Sequence, residues 1–193
     1  MFGYVTGYVV YLFMIPYFPM ILLLAEVGVV IYLSARIEKM SVGTARAMFF
    51  VYAALNGVVF SSLFLIYQLT SLVLAFGACS LFFGIMAALG YTTNADFSRL
   101  RPFMLGGLIF LVAFWILSIF INLSQFETAV CALGIFLFLV ITAYDTKKIR
   151  LYHQVYSGRP EIAAKASIFA ALELYLDFIN LFLYLIRITG KRK

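Results

Sequence analysis

Charge is the scarcest thing in this chain. Asp, Glu, Lys and Arg make up 11% of its 193 residues, where a soluble domain carries about a quarter. No charged residue occurs in residues 1–25, 47–95 or 102–126, and each run holds at least one stretch of the ~20 residues that cross a bilayer. Histidine is nearly absent: His153 is the only one and is expected in a loop, and a single imidazole cannot build a metal site and leaves little for a histidine pH sensor. Cys79 and Cys131 both fall inside apolar runs and read as small apolar fillers. The N-terminus shows neither a basic n-region nor a small-residue cleavage site, so no removable signal peptide is expected. The net charge of +6 is confined to short links between apolar runs. No segment interleaves basic with aromatic residues as a nucleic-acid surface would. The expectation is one multi-pass membrane domain over residues 1–193, with no soluble domain and the lipid bilayer as its first partner.

Seven apolar segments are present: residues 4–18, 20–35, 45–67, 70–91, 102–123, 127–145 and 162–188. Backbone polar groups must be satisfied internally in lipid, and the runs are continuously apolar rather than alternating, so helices are expected and a barrel is not. The predicted class is all-α integral membrane with seven transmembrane helices. Pro16 and Pro19 break the first two segments, and the first is short for a span. Arg36, Lys39 and Arg46, then Arg99 and Arg101, then Lys147, Lys148, Arg150, Arg159 and Lys165 fall on alternate links. The links at Pro16, Gln68 and Ser124 carry no basic residue, so the first set is expected to be cytoplasmic. The tail conflicts with this rule, since a complete last crossing leaves Arg187, Lys191, Arg192 and Lys193 outside; length nevertheless favours the crossing over re-entry. Ala53, Gly57 and Ser61, like Ser80, Gly84 and Ala88, recur at four-residue spacing, as helix contacts in lipid use.

The last segment carries Glu173, Asp177, Asn180, Tyr184 and Arg187. Spacings of four, three, four and three put these on one helical stripe, which places the seventh helix at the centre with the stripe turned to protein or water. Asp177 is the costly residue: a charge at bilayer depth costs ~3 kcal/mol on insertion scales, so it must be protonated, paired or wetted. Asp145 closes the sixth segment just before Lys147 and Lys148, where it can be an interfacial residue that balances those lysines. If that helix continues through Lys147 and Lys148 towards His153, Asp145 lies deeper and can meet Asp177. Two carboxylates in low dielectric cannot both ionise cheaply, so a shared proton is expected; a pH-operated latch is favoured for it over a static structural hydrogen bond. Arg36 either snorkels to the headgroups or supplies the counter-charge of the ionised pair. Glu26 opens the same stretch. Asn56, mid-segment in the third helix, is expected to bond across helices or to line a path.

Five stretches together resemble the Bax inhibitor-1 family, also called the transmembrane Bax inhibitor motif or LFG-like family. They are A-E-V-G-V-V-I-Y-L-S (25–34), Y-A-A-L-N-G-V-V-F-S-S-L-F (52–64), F-F-G-I-M-A-A-L-G-Y-T-T-N-A-D-F-S (82–98), I-T-A-Y-D-T-K-K-I (141–149) and L-Y-L-D-F-I-N-L-F-L-Y-L-I-R (174–187). The last two are the most specific. The likeness is to the bacterial branch, which implies the bacterial inner membrane; the eukaryotic branch would imply the endoplasmic reticulum. Two features depart from the family: a first helix that looks shortened at its N-terminus, and Lys147 where the family has glutamine. The resemblance implies a central seventh helix wrapped by three helices on each side and a pH-sensitive calcium leak closed by Asp145 and Asp177. Arg36 is the nearest match to the family's second-helix arginine.

Three functions are weighed on these residues. A pH-gated cation leak would use Asp145 and Asp177 as gate, Arg36 as counter-charge, and Glu173, Asn180, Glu26 and Asn56 as path-lining groups. Oxygen ligands such as Glu173, Asp177 and Asn180 suit Ca2+ as the transported ion, with protons as the other ligand and no cofactor or structural metal expected. An intramembrane aspartyl protease also needs two aspartates on neighbouring helices, and Tyr144-Asp145 fits it. It needs glycines around the second acid, however, where this chain reads Leu174-Tyr175-Leu176-Asp177; a non-enzymatic protein is expected. The third is a regulatory scaffold for a protein partner that no segment identifies.

Overall fold

A computed structural model describes residues 18–36, 39–156 and 158–193. Six long helices account for nearly all of them: α1 Phe18–Arg36, α2 Val42–Ser61, α3 Leu69–Thr92, α4 Arg101–Phe120, α5 Glu127–Tyr156 and α6 Pro160–Thr189. A single turn, Leu63–Ile66, continues α2, and among the described residues five stretches are long and apolar enough to cross a bilayer. Among the described residues there is no strand, only an isolated antiparallel bridge between Tyr67 and Arg192. The predicted first helix, 4–18, lies outside the described residues except for Phe18, so the expected seven helices are seen as six.

Local chemistry sets the helix limits. α1 has Pro19 in its first turn, where a missing N–H costs nothing. The Ser41 hydroxyl accepts from Thr44 N at 3.1 Å and caps α2. At the other end of α2 the Ser62 hydroxyl donates to Val59 O at 2.7 Å, and the helix is interrupted there. Asp96 caps a 3-10 turn, Phe97–Leu100, that leads into α4 through Pro102. It accepts from the Ser98 amide and hydroxyl, and these bonds hold its exposed carboxyl below the usual carboxylate range.

The chain separates into two compact units. The first comprises Met1–Leu69, Tyr156–Leu172 and Lys191–Lys193. In it α1 packs on α2, with Leu33, Ala45, Tyr52 and Asn56 buried. The C-terminal tail pairs with the link after α2: Gln68 N donates to Lys191 O at 3.0 Å, Lys193 N to Ile66 O at 3.0 Å, and Lys193 Nζ to Phe64 O at 2.8 Å. That link is the basic-poor one at the start of α3, and α6 is 30 residues, about 45 Å, long. That length is enough to cross a bilayer, as the full-crossing expectation requires.

The second unit comprises Thr70–Val155 and Glu173–Gly190. Its part of α6 touches the three other helices. Phe76 and Phe83 of α3 meet Phe178 edge-on at 5.5 and 5.4 Å, Trp115 of α4 donates to the Tyr184 hydroxyl at 3.2 Å, and Phe138 of α5 lies 6.0 Å from the Tyr184 ring. Close approach comes from glycines that the four-residue patterns did not point to. A Cβ on Gly90 would lie 2.8 Å from the Ala143 Cα, and one on Gly134 would lie 2.8 Å from the Tyr184 ring. Gly57 and Gly84 have nothing within 4 Å of that position. Small residues at fixed spacing permit contact without specifying it, and side chains such as Val73, Leu74, Leu81 and Ile85 turn the outer face of α3 to lipid instead.

Candidate functional site

Helix α5 runs on through Asp145 to Tyr156. Asp145 is therefore a mid-helix residue, 8% exposed, and Asp177 on α6 is 4% exposed. The hydroxyls beside Asp145 are spent within α5: Thr142 donates to Phe138 O at 2.7 Å and Thr146 to Thr142 O at 2.8 Å. Asp177 Oδ2 is buried without a hydrogen-bond partner. An orphaned buried acceptor costs about 1–3 kcal/mol, more if charged, so the site holds a group whose needs the fold does not meet.

The charges that act on Asp177 are those of Asp145, Glu173 and Lys148. Glu173 and Lys148 likewise act on Asp145. These four residues form one electrostatic cluster on the facing sides of α5 and α6. Lys148 Nζ and Glu173 Oε1 are 2.5 Å apart, with side chains 25% and 21% exposed, so this end of the cluster reaches water. Among the described residues no group of three or more His, Cys, Asp or Glu side chains is set for a metal ion. The described carboxylates are not gathered into a fixed ion cage.

The other expected residues fall elsewhere. Arg36 ends α1, exposed, its carbonyl accepting from the amides of Lys39 and Met40, and among the described residues it makes no ion pair. Glu26, half-buried on α1, has Oε1 buried without a partner. Both lie in the first unit, as does Asn56 on α2. Asn56 does not bond across helices: its amide donates to Tyr52 O at 3.4 Å, one turn back in its own helix. Asn180 does the same to Leu176 O at 2.8 Å. A helical Cβ tilts towards the N-terminus, which brings a short amide to the i−4 carbonyl before it reaches a neighbour.

The structure adds Lys148 to the site. Its spacing carried the signal: Lys148 is three residues after Asp145 and Glu173 four before Asp177, so each shares a helix face with its aspartate. Once α5 and α6 face each other at the acids, the ammonium and the second carboxylate meet one turn away.

A family model described as "Inhibitor of apoptosis-promoting Bax1" matches residues 1–193. The chain is 39% identical over 176 residues to an uncharacterised Rickettsia prowazekii protein, covering 91% of this chain and 74% of that one. It is 38% identical over 173 residues to the Escherichia coli inner membrane protein YbhL, covering 89% and 74%. An uncharacterised membrane protein of Streptococcus pyogenes is 31% identical over 163 residues, 84% of this chain and 70% of the relative. With five helices of spanning length, these relatives make the chain a multi-pass protein of the bacterial inner membrane.

Proposed function

Since the chain belongs to the Bax inhibitor-1 family, we propose that it is a pH-sensitive cation leak, with Ca2+ as the transported ion and Asp145 and Asp177 as the gate. The observation that carries this reading is Asp177: buried at 4% exposure, one oxygen unpartnered, and inside the field of Asp145. A carboxylate whose surroundings do not hold it in one state responds to a proton or a cation, whereas a fully bonded one is structure. The seventh helix of this reading is α6, central in the bundle, its stripe from Glu173 to Asn180 lining the path. No reacting centre is assigned: the flanks of Asp177 are Leu176 and Phe178, bulky where a protease must admit a peptide backbone.

The scaffold reading has one observation in its favour. Asn56, Asn180, Thr142 and Thr146 all bond within their own helices, so these polar groups are spent inside their helices rather than offered to an ion path. Ca2+ flux into liposomes across pH separates the two readings. A leak gives flux whose pH dependence disappears in Asp145→Asn and Asp177→Asn. Background flux in wild type and both variants at every pH would discard the leak and leave the scaffold.

A further inference from the structure

We propose that Lys148, anchored by Glu173, is the built-in counter-charge of the Asp145–Asp177 pair and sets the pH at which that pair responds. It is a positioning residue, and the inference rests on reading the two aspartates as the responsive group.

Three basic residues leave the end of α5, and they do not point alike. Lys147 donates to Ala95 O and lies 5.7 Å from the Phe97 ring. Arg150 donates to Tyr91 O at 3.0 Å and lies 5.9 Å from the Tyr91 ring. Lys147 is spent on the link after α3 and Arg150 on the last turn of α3. Lys148 alone of the three turns to α6, where its ammonium meets Glu173 at 2.5 Å and lies 5.6 Å from the Tyr152 ring.

The surroundings leave Lys148 as the cation that answers the acids. Asp145, Lys148 and Tyr152 come from α5, Glu173 and Asp177 from α6. Helix α3 has no charged residue over its whole length, and its Cys79 thiol donates to Phe178 O at 3.6 Å. Helix α4 has none after Arg101. With low dielectric on the α3 side, one positive and one negative charge a turn away act on the aspartates with opposite signs.

That opposition makes the test. Melting of the purified full chain in lipid nanodiscs, and Ca2+ flux in liposomes, are each followed against pH. Lys148→Met removes the cation, so the aspartates ionise less readily and the midpoint of the pH response rises by about one unit. Glu173→Gln removes an anion and frees the ammonium, so the midpoint falls. Lys148→Arg keeps the charge and stays within a few tenths of a unit of wild type, on the order of noise for such shifts. A static ion pair behaves differently: both neutral variants lower the melting temperature equally at every pH and leave the midpoint in place, and that result overturns the proposal. Should Lys148→Met not fold, Glu173→Gln decides alone, and a midpoint that does not fall overturns it. Midpoints that separate in melting while no protein passes Ca2+ would remove the leak and keep this inference. Flux that follows pH with unmoved midpoints would do the reverse.

Discussion

The two ends of α6 within the second unit are both polar, yet they are built on opposite plans. At the Glu173 end Asp145 and Asp177 are buried and Asp177 keeps an unpartnered oxygen. At the Arg187 end each group has an answer. The Trp115 indole donates to Tyr184, the Arg187 guanidinium stacks 3.9 Å from the Trp115 ring centroid, and Glu127 lies 3.9 Å from Arg187. Arg187 and Glu127 are more than a third exposed, so the far pair is screened by water. Polarity along a membrane helix is therefore not one signal. A satisfied cluster holds a helix in place; an unsatisfied one leaves it sensitive to protons.

The largest effect should come from breaking the unsatisfied end. Asp177→Asn removes the titrating group, and both flux and melting temperature should become flat across pH where wild type varies. A variant that keeps the wild-type pH profile would erase the distinction between the ends. Next comes the backbone contact beside Asp145. Gly90→Ala pushes a methyl into the Ala143 backbone, which cannot swing away, and should cost about 1–3 kcal/mol in chemical unfolding. Gly84→Ala, in open space, should cost nothing measurable; equal losses would mean that the α3–α5 contact is misplaced. At the satisfied end, Trp115→Phe deletes the indole donor and weakens the stacking on Arg187, for about 1 kcal/mol. Its pH profile should stay that of wild type, and a shifted profile would give this end a share of the response. Glu127→Gln is the smallest change, under about 0.5 kcal/mol for a long and exposed pair. A loss of several times that would show a tighter pair than 3.9 Å implies.

Periodicity revealed the stripe on the last helix, because five polar residues at spacings of three and four can share a face in only one way. The same logic left the partners of the stripe open. It placed Lys147, Lys148 and Arg150 together as orientation signals, although Lys148 alone turns to the acids. It also read Gly57 and Gly84 as contact points, although Gly90 and Gly134 are where a side chain would collide.

Spanning segments, the cost of two acids at depth and the alternation of basic links all follow from composition and order, since transfer free energies add along a chain wherever it packs. The docking of the C-terminal tail on the link at Gln68, the choice of one lysine among three basic neighbours and the bare oxygen on Asp177 do not follow. Each depends on where a second helix lies and which rotamer then reaches it. That is a property of three-dimensional packing, on which the spacing of one helix is silent.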